Sequence, residues 1–402
     1  MIDLLKTQLG FSVALMVVLI TIIMGFVAYA ILLERKVCAW LQDRIGPNRA
    51  GPLGLLQPIA DGVKFLLKED FTPRGADRPL FFLAPCIAFA VAMIGFAVIP
   101  WGGPLDLGGP EPVRVQVAGV DIGLLYILAV GAMGVYGLVL AGWSSNNKFS
   151  FYGGMRAAAQ TLSYEIPMGL AILVVVLTTG QVRLEKIVEY QMQSTWNVLL
   201  HPLAFLILLV TAFAETNRMP FDLAESEQEL VGGYHTEYSS MKMALFFLGE
   251  YAHLITVSAF MTALFLGGWE LFPFSTRLGW GWLDWIYKSQ TLAAALCQFA
   301  IVLSKVVVFI LFFMWVRWTL FRPRFDQLMR FAWNGLVPAG IALVVLTSLL
   351  LYKNVVASFW SPLCNAAVFG AAVLRFYVWS PAITGRQANL PPIEGSLTRR
   401  FE

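Results

Sequence analysis

The stretch Phe213-Ala-Glu-Thr-Asn-Arg-Met-Pro-Phe-Asp-Leu-Ala-Glu-Ser-Glu-Gln-Glu-Leu-Val-Gly-Gly-Tyr-His-Thr-Glu-Tyr238 decides how this chain is read. It carries Glu215, Asp222, Glu225, Glu227, Glu229 and Glu237. Within the stretch they are opposed by Arg218 and, if protonated, His235. Apolar runs at about 198–214 and 241–268 enclose it. A carboxylate cluster between two such runs is either a solvated loop or an entry point for cations. Asp222-Leu-Ala-Glu225 has capping-box spacing. It predicts a short helix from Asp222, with Glu225 and Glu229 on one face.

Composition sets the class. Of 402 residues, 58% are hydrophobic and 13% charged, about half the charged share of a soluble domain. Mean hydropathy is +0.71. A soluble fold could not hide that much apolar surface, which leaves an integral membrane protein. A net charge of +3 gives no basis for a nucleic-acid partner. Cys38, Cys86, Cys297 and Cys364 are scattered without a CxxC, and His201, His235 and His253 lack ligand spacing. No metal or iron–sulfur site is expected in this chain alone. No Walker A, strand-linked GxGxxG or HExxH motif is present.

Apolar runs near 11–33, 79–100, 121–142, 160–179, 198–214, 241–268, 292–316 and 332–352 are each long enough to cross a bilayer as a helix. A ninth, about 357–379, is weaker and contains Pro362, Asn365 and Arg375. The runs are continuous rather than alternating, so helices are expected and not a barrel. The predicted fold is an all-α polytopic membrane protein with nine spans. The first run is too long for a signal peptide and reads as a retained span. Lys and Arg concentrate in the loops after the first, third, fifth and seventh runs. Those loops are expected to be cytoplasmic and the N-terminus outside. Arg386, Arg399 and Arg400 would also lie inside if the ninth run crosses.

The first such loop turns at its Gly-Pro pairs, Gly46-Pro47 and Gly51-Pro52. From Leu53 to Lys68, Leu55, Leu56, Ile59, Val63, Leu66 and Leu67 recur at helical spacing, with Asp61, Lys64 and Lys68 opposite. This predicts an amphipathic helix lying in the membrane interface. Glu34, Glu165, Glu215 and Glu250 fall inside or beside apolar runs, and Lys305 falls within the seventh. A charge near mid-bilayer costs roughly 2.5–3.5 kcal/mol, so such groups face a bundle interior or a wet cavity. They form either a proton path or structural ion pairs. For Glu34 and Glu215, near run ends, reaching the interface is a further alternative.

Several motifs point to one family. They are Glu34-Arg-Lys, Gln42-Asp-Arg-Ile-Gly-Pro-Asn-Arg, Leu56-Gln-Pro-Ile-Ala-Asp-Gly62, Gly142-Trp-Ser-Ser-Asn-Asn-Lys148, Arg156-Ala-Ala-Ala-Gln160, Ser163-Tyr-Glu165, Phe213–Asp222, Glu229–Tyr238 and Arg324-Phe-Asp-Gln-Leu-Met329. Together they closely resemble the H subunit (subunit 1) of respiratory complex I, the proton-pumping NADH–quinone oxidoreductase. The resemblance spans about residues 1–350. It implies one domain at 1–355, with eight family transmembrane helices. An extension at 356–402 would add a ninth helix and a cytoplasmic tail.

The resemblance also implies a role. Such a subunit sits at the junction with the hydrophilic arm and forms much of the quinone chamber. Glu34, Arg35, Asp61, Arg218, Glu225, Glu227 and Glu229 would surround or feed that chamber. Glu165, Glu215 and Glu250 would form a buried proton path. The amphipathic helix at 53–68 would border the quinone entrance. Quinone (ubiquinone or a relative) is the implied substrate, with FMN and iron–sulfur clusters on partner subunits. This chain would hold no redox centre and no directly catalytic residue. The implied partners are other subunits of the membrane arm and the quinone-proximal hydrophilic arm. The implied location is a bacterial inner membrane. One departure stands out. Where the family pattern reads Pro-Glu-Gly-Glu-Ser-Glu, this chain has Ala224-Glu-Ser-Glu-Gln-Glu229. The alternative reading is the equivalent subunit of a membrane-bound hydrogenase or of a ferredoxin- or formate-linked complex. A stand-alone proton-coupled carrier is a different class.

Overall fold

The computed structural model describes residues 7–109, 112–277, 281–353 and 360–379. Helix α1 (Gln8–Leu41) leads through turns into the short α2 (Gln57–Leu67). Then come α3 (Arg78–Ile94) and a two-stranded antiparallel ribbon, β1 (Pro104–Leu105) with β2 (Val113–Arg114). Helices α4 (Gly123–Ser144), α5 (Lys148–Thr179), α6 (Leu184–Gln193), α7 (Asn197–Leu200) and α8 (Pro202–Glu215) follow. The acidic stretch holds α9 (Glu227–Leu230). Beyond it lie α10 (Ser240–Phe265), α11 (Gly281–Lys288), α12 (Leu292–Thr319), α13 (Phe325–Arg330), α14 (Val337–Tyr352) and α15 (Trp360–Trp379). A π-helical segment, Phe331–Leu336, joins α13 to α14.

Among the described residues, seven helices are long and apolar enough to cross a membrane: α1, α3 with its extension to Val98, α4, α5, α10, α12 and the continuous Phe325–Tyr352. The chain is a polytopic all-α membrane protein, as its apolar runs predict. The fifth run differs in form. Pro202 lacks the N–H needed to carry a helix through, so the run splits into α7 and α8. The 14 residues of α8 reach only about 21 Å at 1.5 Å per residue. The ninth run forms α15, which lays Ser361, Asn365, Val368 and Ala372 onto the bundle. Its Ser361 hydroxyl donates to the Leu200 carbonyl at 2.8 Å, beside the α7–α8 break. Inside a bilayer such polar contacts join helices where apolar surface alone gives no preference. Arg386, Arg399 and Arg400 lie outside the described residues.

The loops sort into two groups by their contacts. Phe71 N–H donates to Ser239 Oγ at 3.2 Å, Asn147 Nδ2 to Glu237 at 2.6 Å, and Arg322 to the Asp222 carbonyl. These join the loops after the first, third, fifth and seventh runs. At the other end, Asp106 N–H donates to the Gln290 carbonyl at 2.9 Å. There Arg114 and Arg183 both pair with Glu185, at 2.9 and 2.8 Å. The alternation of loops between two ends, expected from the successive apolar runs, is thus present in the contacts.

Helices α3, α4, α5 and α10 pack closely through small residues. A Cβ on Gly137 would lie 3.0 Å from Ala88, and one on Gly142 only 2.5 Å from the Ser150 carbonyl oxygen. Helix α2 buries none of its residues. Leu55, Leu56, Ile59, Val63, Leu66 and Leu67 stay exposed, which suits an interfacial position. The α4–α5 contact yields a test. Gly142→Val should cost about 1–3 kcal/mol by overpacking, read as a lower thermal inactivation temperature of the purified protein. Gly25→Val, with open space around its Cβ position, should leave that temperature unchanged.

Candidate functional site

Helix α1 carries Glu34 on the face turned into the bundle, where it is 4% exposed. A carboxylate so placed has to be compensated. Arg218, just past α8, donates to Glu34 at 2.8 Å. The Tyr251 hydroxyl donates to the same oxygen at 2.6 Å. Arg317, near the end of α12, binds the other oxygen. Arg218 also pairs with Glu250 at 2.7 Å and lies over the Tyr251 ring, 4.1 Å from its centre. One guanidinium therefore bridges Glu34 and Glu250.

A cavity of about 500 Å³ opens against this knot. Ile31, Glu34, Arg35, Cys38, Arg44, Asp61, Phe247, Tyr251, Arg317 and Trp318 line it. Across its wall Arg35 pairs with Asp61 of α2 at 2.8 Å. A more apolar cavity of about 230 Å³ shares Ile31, Asp61, Phe65 and Phe247 with it and runs beneath α2, between α1 and α10. On the far side of Arg218, a small cavity of about 70 Å³ touches Glu250, Glu215, His253 and Tyr234. A still smaller one of about 20 Å³ continues past Glu215 and His253 to Thr256 and Phe260. Glu215 and His253 approach to 3.5 Å. Glu165 on α5 lies within electrostatic reach of Glu215.

Seven of the ten site residues expected from sequence thus fall into three neighbouring groups. Glu34, Arg35 and Asp61 share the large cavity. Arg218 joins Glu34 to Glu250. Glu250 and Glu215 share the small cavity, with Glu165 beyond. Arg317 and Tyr251 belong to the knot and are not among the residues expected from sequence. Among the described residues no group of three His, Cys, Asp or Glu side chains could hold a metal ion.

The family model for NADH dehydrogenase matches residues 14–348. An NADH-quinone oxidoreductase H subunit from Cytophaga hutchinsonii is 49% identical over 327 residues, which is 81% of this chain and 92% of that protein. The corresponding protein of Flavobacterium johnsoniae is 47% identical over 348 residues, 86% of this chain and 96% of its own. That of Leptospira biflexa is 46% identical over 337 residues, 82% and 91% respectively. This chain belongs to the H-subunit family of NADH–quinone oxidoreductase. The relatives named are subunits of an enzyme complex, and α15 lies beyond the end of the family match.

The acidic loop of this H-subunit family member departs from the sequence expectation. No helix starts at Asp222; α9 begins at Glu227. Glu225 and Glu229 do not share a face. Glu229 is exposed and pairs with Arg156 at 2.5 Å. Glu225 turns inward and accepts from the Tyr234 hydroxyl at 3.2 Å. Burial pushes the Glu225 carboxyl well above the usual carboxylate range. The charges of Glu250 and Asp222 push the same way, while the Tyr234 hydrogen bond and Arg218 oppose it. His235 is 3.8 Å from Glu225, but burial lowers its pKa to about 4. It is neutral at physiological pH and does not offset the loop's charge. The side chain of Glu227 lies outside the described residues.

Two family motifs acquire physical reasons. Gln160, closing Arg156-Ala-Ala-Ala-Gln160, donates to the carbonyls of Ala214 and Phe221 at 2.8 and 2.7 Å, pinning both ends of the loop's first turn. Tyr164, within Ser163-Tyr-Glu165, donates to the Leu328 carbonyl at 3.0 Å and so holds the Arg324–Met329 loop. The family's glycine in the acidic loop corresponds to Ser226. Its φ is +32°, a left-handed backbone that favours glycine.

Lys305, read from sequence as a candidate for function, has a structural post. Its ammonium donates to the carbonyls of Leu266, Gly268 and Glu270 where α10 ends. That satisfies carbonyls of the turn that follows the helix and sets a positive charge near the negative end of its dipole.

Two outcomes follow from this geometry. Arg218→Met leaves Glu34 and Glu250 without their shared cation and should destabilise the protein by about 3–5 kcal/mol, read as a fall in melting temperature. Ser226→Gly removes left-handed strain and a buried hydroxyl with no hydrogen-bond partner. It should raise stability by up to about 1 kcal/mol after the entropic cost of glycine, read as slower proteolysis of the loop.

Proposed function

We propose that this chain is the membrane subunit of a proton-translocating NADH–quinone oxidoreductase in a bacterial inner membrane. In that reading the 500 Å³ cavity forms part of the quinone chamber. The remaining wall comes from quinone-proximal subunits of the hydrophilic arm. The apolar cavity beneath α2 is the route from the bilayer. FMN and iron–sulfur clusters reside on partner subunits, and electrons reach the quinone from there. The loops after the first, third, fifth and seventh runs face the cytoplasm and form the docking surface. Residues 1–355 are the family domain, and 356–402 are an addition to it. One observation carries the reading: the large cavity ends on Glu34, which is bonded through Arg218 to Glu250, and Glu250 shares the small cavity behind it with Glu215.

The chemistry follows from charge. Reducing a quinone builds negative charge in a poorly hydrated space, where electrostatic effects are large. Arg317 lines that space and also binds Glu34. Negative charge in the cavity draws on Arg317 and loosens its hold on Glu34. Glu34 then takes a larger share of Arg218, and Glu250 loses part of its counter-charge. A carboxylate that loses a neighbouring cation gains proton affinity. Glu250 thereby takes up a proton and passes the change to Glu215 and Glu165. The inward-facing Glu225 adds a proton-holding carboxyl at the cytoplasmic end.

The test is purification of the tagged chain in mild detergent. Flavin and iron–sulfur subunits should co-purify, with inhibitor-sensitive NADH–quinone activity; recovery with a nickel–iron hydrogenase instead would sink the proposal. Within the assembled complex, Glu215→Gln or Glu165→Gln should keep NADH-driven quinone reduction but lower the number of protons moved per NADH in proteoliposomes. A native stoichiometry in both would remove these carboxylates from the path.

A further inference from the structure

We infer that His253 is a proton-transferring member of the buried path, placed between Glu250 and Glu215. The inference rests on the proton-coupling role proposed above and adds to it a residue outside the carboxylate set. Three observations carry it. First, His253 Nε2 lies 3.5 Å from Glu215 Oε1, close enough for direct exchange after a small approach. Second, His253 follows Glu250 by three residues on α10, so the two share a helix face. Third, both cavities behind Arg218 are lined by Glu215 and His253 together, the nearer one also by Glu250. The nearer cavity, about 70 Å³, has room for water by the usual volume criterion of about 10–15 Å³ per probe-sized site. It also offers polar partners in Thr216, Asn217 and Tyr234.

The elements around His253 leave it few other roles. Helices α3 and α4 face the nearer cavity with Ala88, Val91, Gly131 and Gly134, none of them charged. Gly131 makes room for the acid: a Cβ there would sit 2.7 Å from Glu215 Oε1. The titratable neighbours are Glu250 on the same helix, Glu215 from α8 and Tyr234 from the acidic loop. An imidazole accepts a proton on one nitrogen and releases it from the other, which a single carboxylate oxygen cannot do. Sequence spacing bears on His253 only as a metal ligand, a role that it denies; the proton-carrying role comes from the fold.

The experiment uses the whole complex in proteoliposomes. His253→Asn keeps a polar side chain of similar reach but cannot carry a proton. His253→Arg places a fixed positive charge beside Glu215. The expected result is quinone reduction close to native in both variants, with the proton-to-NADH ratio lowered in both. Native pumping in His253→Asn would overturn the inference. Restoration of pumping by His253→Arg would overturn it too, because a fixed counter-charge would then suffice. Glu215→Gln, measured alongside, separates the two levels. If Glu215→Gln lowers the ratio and His253→Asn does not, the inference fails and the carboxylate path stands. If neither does, the path itself fails.

Discussion

The structure depends on finding partners for one buried charge. Glu34 sits inside the bundle, where an uncompensated carboxylate would be prohibitive. Its partners come from α10, from the segment after α8 and from α12. That single need brings together four parts of the chain and fixes where the large cavity ends. It also makes Arg218 a shared resource. The guanidinium cannot serve Glu34 more without serving Glu250 less, so the two sides of the knot are coupled by geometry rather than by distance alone.

Around that knot the interior is divided by polarity. The cavity outside Glu34 is large and lined by several arginines, whereas the cavities behind Arg218 are small and meet carboxylates, a histidine and glycines. A hydrophobic tail fits the apolar pocket beneath α2 but nothing behind the knot. Only waters and protons match the space there. The acidic loop closes one end of the bundle with one carboxyl turned in at Glu225 and one turned out at Glu229. One sequence cluster is thus split between an interior and a surface task.

How much of this is legible in the chain depends on the range of the interaction. The spans, and with them the alternation of loops between two ends, follow from runs of apolar residues, because these are local properties. The amphipathic α2 follows from its period. The knot does not. Glu34 and Arg317 stand 283 residues apart, and no spacing rule reaches that far. In the sequence Arg317 is only one of many loop-side cations. The same limit hides the post of Lys305, whose carbonyl partners cannot be foreseen from its place in an apolar run. The inward turn of Glu225 needs the left-handed Ser226, which the sequence disguises because glycine is the usual mark of such a backbone. The split at Pro202 is readable from the proline itself.

The clamp made by Gln160 has a mechanical consequence. Its amide holds the carbonyls of Ala214 and Phe221, so the acidic loop cannot swing without pulling on α5. Five residues further along α5 stands Glu165, about 7.5 Å up the axis at the standard rise. A helix is stiff over so short a span. The loop and Glu165 therefore behave as the two ends of one lever, with Gln160 as the grip.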